Sequence, residues 1–133
     1  MTIAKNILVV DDDEEVSELV VEILTNSDFG DVTLEIDTAG DGQTAFERIS
    51  SDKYDLIIID IKMPGMDGIE VIKSVRQQNI ANKVPFIVLS GFIGEVDLPE
   101  GDNGENVFYL TKPFDSQELR STVKMWVSSS VDI

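Results

Sequence analysis

Leu56-Ile57-Ile58-Ile59-Asp60-Ile61-Lys62-Met63-Pro64-Gly65-Met66-Asp67-Gly68 decides the fold class of this chain. Four consecutive apolar residues read as a strand buried on both faces, of the kind found in the middle of a parallel sheet. The run stops at a carboxylate, Asp60. Pro64, Gly65 and Gly68 then break the pattern, and Ile69, Ile72 and Val75 begin a helical repeat. Asp67, followed by Gly68 and Ile69, is placed to cap that helix, which leaves Asp60 for another task. In open α/β sheets the reactive crevice lies beyond the carboxyl ends of the strands, where Asp60 falls.

Upstream, Asn6-Ile7-Leu8-Val9-Val10 is a second apolar run, ending in Asp11-Asp12-Asp13. Val16, Leu19, Val20, Ile23 and Leu24 follow with helical spacing. Leu34 and Ile36 alternate with Glu35 and Asp37, the pattern of a strand nearer a sheet edge. Asp41-Gly42 opens a short helix carrying Ala45, Phe46 and Ile49, and the helix after Asp67 runs to about Gln78. Downstream, Pro85 to Leu89 is a fourth strand, ending at Ser90-Gly91, and Val107 to Leu110 is a fifth, ending at Thr111-Lys112-Pro113. Asp115 with Glu118 is a capping-box-like signal for a last helix that buries Leu119, Val123, Trp126 and Val127. Between the fourth and fifth strands, Gly91, Gly94, Pro99, Gly101 and Gly104 make a poor helix, so any helix there is expected to be short or irregular. Strands alternating with helices give a parallel sheet covered on both sides, a three-layer α/β/α domain. One domain is expected over residues 1–133, with its core from about 5 to 127 and a frayed tail at 128–133.

Composition narrows the chemistry. The chain contains neither cysteine nor histidine, which excludes disulfides, thiol nucleophiles, His-based catalysis and the usual zinc sites. Asp and Glu number 26 against 10 Lys and Arg, a formal charge of −16. Such a chain repels nucleic acid and anionic lipid and attracts cations and basic protein surfaces. No apolar stretch is long enough to span a bilayer, and the first residues lack the features of a secretion signal, so a cytoplasmic location is expected.

Three strands end in polar residues at the same edge: Asp11 and Asp12, then Asp60, then Ser90. A fourth contributes Lys112. Three crowded carboxylates raise one another's pKa, and a divalent cation relieves that repulsion; all-oxygen ligation suits Mg²⁺ or Mn²⁺. A metal so held draws in a phosphoryl group and orients it for in-line attack by a carboxylate, giving an acyl phosphate. Lys112 would pair with the phosphoryl oxygens and Ser90 would donate a hydrogen bond to one of them. Each residue alone has a plainer reading: Asp11 or Asp13 as a helix cap, Ser90 as a turn residue, Lys112 as a surface charge. The ordered set, each member at a strand end, carries the argument.

From about Lys5 to Val127 the chain resembles a response-regulator receiver domain of two-component signalling, similar to the stand-alone chemotaxis regulator. The motifs that carry the resemblance are Ile7-Leu8-Val9-Val10-Asp11-Asp12-Asp13, Asp60 with Met63-Pro64-Gly65-Met66-Asp67-Gly68, Val88-Leu89-Ser90-Gly91 and Thr111-Lys112-Pro113-Phe114. The resemblance implies a flavodoxin-like five-stranded parallel sheet in the order 2-1-3-4-5. It implies that Asp60 is the phosphoacceptor, Asp12 a direct metal ligand, and Asp11 a residue acting on the metal mainly through water. The Lys62 backbone carbonyl would complete the protein's share of the metal shell, Ser90 and Tyr109 would be the switch pair, and Lys112-Pro113 fits a cis peptide. Lys62 and Phe92 stand where the family's control of phosphoryl lifetime resides. The implied protein is not a conventional enzyme, since it catalyses only its own phosphorylation and slow dephosphorylation. It is a monomer or weak dimer that takes a phosphoryl group from a histidine kinase or histidine phosphotransfer protein. With no effector segment in the chain, its output is expected to be altered binding of another protein or onward phosphorelay.

Three rival readings differ at identifiable residues. A haloacid-dehalogenase-type phosphatase needs a second acid two residues after its nucleophile, and Lys62 stands there. A flavodoxin cradles phosphate in a Gly/Ser/Thr loop after the first strand, where Asp11-Asp12-Asp13 would repel it. A receiver-like module that binds partners without phosphorylation is the remaining alternative, distinguished by failing to bind metal or accept phosphoryl groups.

Overall fold

The central apolar run becomes β3 (Leu56–Asp60), and all five of its residues are buried. The computed structural model describes residues 3–78, 84–91 and 106–129. On one side of β3 lies β1 (Ile3–Val10), which also pairs with β2 (Val32–Ala39). On the other side lie β4 (Phe86–Ser90) and then β5 (Val107–Thr111). Every pairing is parallel, and the sheet order is β2-β1-β3-β4-β5, the flavodoxin-like order expected. Alternate residues of β3 feed opposite cores. Ile57 and Ile59 pack with Ala45 and Ile49 of α2 (Gly42–Ser51) and Val71, Ile72 and Val75 of α3 (Gly68–Gln77). Leu56 and Ile58 pack with Val20 and Leu24 of α1 (Glu14–Thr25) and Leu119, Val123 and Val127 of α4 (Ser116–Ser129). Burial on both faces is what made the strand read as a continuous apolar run.

Several of the many carboxylates are helix caps. Asp13 accepts from the Glu15 N–H, Asp41 from Thr44 and Asp67 from Glu70, each satisfying a donor that the helix cannot pair internally. The reciprocal capping box forms at Asp67 and Glu70. Asp115, read as the start of such a box with Glu118, accepts instead from the Gln117 N–H.

The structure moves some expected boundaries. β1 begins at Ile3 rather than Asn6, because it pairs with β2 along its whole length while its first residues stay exposed. An exposed start leaves no apolar signature. Leu19, grouped with the buried stripe of α1, is 48% exposed, whereas Leu24 is 2% exposed. The α4 helix continues to Ser129, past the expected start of the frayed tail at 128; residues 130–133 lie outside the described residues. The expectation of a short or irregular helix between β4 and β5 likewise falls mostly outside the described residues, at 92–105. Among the described residues, no helix is long and apolar enough to cross a membrane.

The two leucines of α1 give a direct check on where the core lies. Leu24→Ala should lower the unfolding free energy by about 2–5 kcal/mol, and Leu19→Ala should change it by no more than about 0.5 kcal/mol. Urea denaturation of the two variants measures both; similar losses would contradict the orientation of α1.

Candidate functional site

Parallel pairing sends the carboxyl ends of all the strands to one edge, and the polar residues collect there. Asp11 directly follows β1, Asp60 and Ser90 close β3 and β4, and Lys112 directly follows β5. Asp11 is fixed at two points: its N–H donates to the Ala39 carbonyl at 3.1 Å, and its Oδ1 accepts from the Asp13 N–H at 2.9 Å. The Lys112 N–H donates to the Ser90 carbonyl at 2.7 Å, which binds the end of β5 to the end of β4. Asp11, Asp60 and Ser90 are buried, and Asp12 stands exposed at the rim.

Asp11, Asp12 and Asp60 each offer a carboxylate oxygen within 4.8 Å of the others. The Lys112 ammonium lies 3.1 Å from Asp11 Oδ2 and 3.1 Å from Asp60 Oδ1. The Asp60 carboxyl is held above the usual aspartate range. Burial is the main cause, and the Asp11 charge adds to it against the opposing pull of Lys112. Repulsion among the acids, the only cause expected from the sequence, therefore ranks second to desolvation. Burial alone would lower the Lys112 pKa, but the hydrogen bond to Asp11 and the charges of Asp60 and Asp11 outweigh it and raise the value. Lys112 is thus firmly cationic. One ammonium facing three carboxylates leaves a negative cradle of hard oxygen donors. That donor set fits Mg²⁺ or Mn²⁺, cations that dehydrate reluctantly and keep several waters beside carboxylates.

The other expected site residues take different positions. Lys62 is exposed and lines an open depression with Ile61, Met63, Pro64 and Asp67. Lys112-Pro113 is cis. Tyr109 lies opposite Val88 in the β4–β5 register and packs against the core cluster shared with α2 and α3. Its hydroxyl is buried with no hydrogen-bond partner among the described residues, and burial raises its pKa. Phe92 falls outside the described residues.

Sequence reading took Gly68 for a pattern breaker and missed its contact. A Cβ there would lie 2.3 Å from the Asp60 carbonyl oxygen, so the first turn of α3 can rest on the end of β3 only with glycine. A glycine directly after a capping Asp was the available signal.

The sequence matches the family profile described as response regulator receiver domain over residues 7–124. It is 37% identical over 120 residues to the alkaline phosphatase synthesis transcriptional regulatory protein PhoP of Bacillus subtilis, covering 90% of this chain and 47% of that protein. The chain spans about half the length of the curated relatives it matches. Among solved structures it is similar to the receiver domain of a Francisella response regulator, with a TM-score of 0.79 and 32% identity over 95% of this chain and 98% of the other. It is also similar to the response regulator TrrA of Thermotoga maritima in complex with Mg²⁺-BeF, with a TM-score of 0.76 and 35% identity over 92% of this chain and 98% of that one.

The raised Asp60 value has a consequence for stability. A carboxyl with an elevated folded pKa contributes stability that is fully present below the ordinary aspartate value of about 3.9 and is lost as pH rises through the folded value. Ionised Asp60 therefore costs stability near neutrality. Without divalent cations, Asp60→Asn should unfold at higher urea than the parent at neutral pH, with the gap narrowing as pH falls toward the carboxylate range. Coincident urea midpoints at neutral pH would show that Lys112 fully offsets the burial of Asp60.

Proposed function

The chain belongs to the response-regulator receiver family, the phosphorylation-activated switches of two-component signalling, and from that premise we propose that Asp60 is the residue that accepts the phosphoryl group. The observation that carries this reading is the Lys112 ammonium held 3.1 Å from a buried strand-end carboxylate inside a cluster of three acids. The donor is a phosphohistidine, on a histidine kinase or a histidine phosphotransfer protein. An Asp60 carboxylate oxygen attacks phosphorus, the P–N bond breaks, and its electron pair leaves with the imidazole. Lys112 neutralises the oxygens of the transferred group, and Ser90 donates a hydrogen bond to one of them. Asp11, Asp12 and Asp60, with the Lys62 backbone carbonyl, would hold Mg²⁺ or Mn²⁺. Bound there, the cation would supply positive charge to the phosphoryl oxygens and orient the group for in-line transfer.

The Mg²⁺-BeF bound to the Thermotoga relative supports the choice of cofactor. The acyl phosphate then biases the Ser90–Tyr109 region between two arrangements, and output passes through an altered protein-binding surface or onward phosphotransfer. The packing of Tyr109 against the core, opposite Val88 of β4, supports a place for it in that region. Lys62, two residues after the acceptor, is exposed, and its long side chain would obstruct the water that hydrolyses the acyl phosphate.

With Mg²⁺ and a small phosphodonor such as acetyl phosphate, intact mass should rise by one phosphoryl group in the parent and not at all in Asp60→Asn. Equal labelling of both would place the acceptor elsewhere. Asp12→Ala should lose metal-dependent labelling while staying folded; absence of both labelling and metal binding in the parent would favour a phosphorylation-independent interaction module. Decay of the labelled protein should be several times faster when Lys62→Asn is combined with Phe92→Glu, and an unchanged lifetime would exclude an obstructing role for these side chains.

A further inference from the structure

The first turn of α2 presses directly on the loop that follows Asp60. A Cβ on Gly42 would lie 2.0 Å from the Met66 carbonyl oxygen, 2.8 Å from the Met66 carbonyl carbon and 2.9 Å from its Cβ. The obstacle is mainly backbone, so a rotamer change cannot relieve it. Carbon–oxygen approaches of this kind settle at about 3.3–3.6 Å, so one side would have to retreat by more than about 1 Å. The helix is poorly able to do so: Ala45 and Ile49 are buried in the sheet core and Asp41 caps the first turn. The loop is tied at Met63, which is buried, and at Gly68, whose own missing Cβ admits the Asp60 carbonyl. Lys62 directly precedes the Met63 tie, on the same loop and four residues before Met66.

We propose that Gly42 is a positioning residue for this loop: by letting α2 seat against the Met66 carbonyl, it holds the Lys62 backbone where a cation in the acidic cradle would meet it. The inference rests on the reading of Asp60 as acceptor and of the Lys62 carbonyl as part of the metal shell. Gly40, two residues earlier, has no atom of the described residues within 4 Å of where a Cβ would stand and serves as the matched control.

The test is calorimetric titration of the folded variants with MgCl₂, alongside labelling by acetyl phosphate. Gly42→Ala should bind Mg²⁺ about tenfold more weakly, the scale seen when support around metal ligands is removed, and should label more slowly at a fixed subsaturating Mg²⁺ concentration. Gly40→Ala should match the parent in both. Leu24→Ala, destabilised on the opposite face of the sheet, should keep parental Mg²⁺ affinity, which separates positioning from general loss of stability. Should Gly42→Ala fail to fold, Gly65→Ala takes its place: Gly65 has φ +76° with open space around it, so alanine strains the loop from within and leaves α2 untouched. Weakened Mg²⁺ binding by that variant supports the proposal. Parental Mg²⁺ affinity in folded Gly42→Ala, or in Gly65→Ala where Gly42→Ala does not fold, overturns it. A parent that neither binds Mg²⁺ nor labels overturns the acceptor reading and this inference with it.

Discussion

The ion pairs from Lys112 to Asp11 and Asp60 are the contacts on which the working edge of this domain depends. A carboxylate at the end of a strand buried on both faces is costly to ionise, because burial strips most of its water. The sheet answers that cost with one ammonium, delivered from the end of a strand two places away in the order. Lys112 reaches both acids because β5 is tied to β4 through the Ser90 carbonyl, and β4 is in register with β3 at Asp60 and Leu89. Compensation is incomplete, as the elevated Asp60 pKa shows. What remains is a site that is negative, partly desolvated and complementary to a cation bearing an anionic group.

Much of this was legible in the sequence. Strand-end residues stand out where an apolar run stops, so Asp11, Asp60, Ser90 and Lys112 could be placed on one edge from position alone. The sheet order was not read that way; it came from the likeness of the motifs to a known family. Other features left no trace in the pattern. The stripe on α1 has the same helical spacing whether Leu19 or only its neighbours face the sheet, so its exposure could not be seen. The first two residues of β1 are exposed although they pair with β2, and backbone pairing has no sequence period. Burial outranking charge repulsion at Asp60 depends on how closely the surrounding layers pack, which spacing does not convey. Gly42 and Gly68 read as a helix opener and a pattern breaker; each directly follows a capping Asp, but that signal does not say which carbonyl occupies the space of the missing side chain.

The two glycines and the three helix caps point to a common economy. Asp13, Asp41 and Asp67 spend their charge on backbone donors at helix starts. In a chain of this acidity, that use separates carboxylates committed to the fold from those gathered at the sheet edge. The helices so capped begin at the same end of the strands as the acids, and the first turns of α2 and α3 press on the backbone of Met66 and of Asp60.

The sequence distance between the paired charges also sets an order for biosynthesis. Lys112 is 101 residues from Asp11 and comes only with the last strand. At about 5–20 residues per second, a ribosome adds the stretch from Asp60 to Lys112 in roughly 3–10 seconds. During that interval a nascent chain with its first strands collapsed would hold clustered carboxylates without their ammonium. The ammonium that offsets the buried acids therefore becomes available only once the strand farthest along the chain has been made.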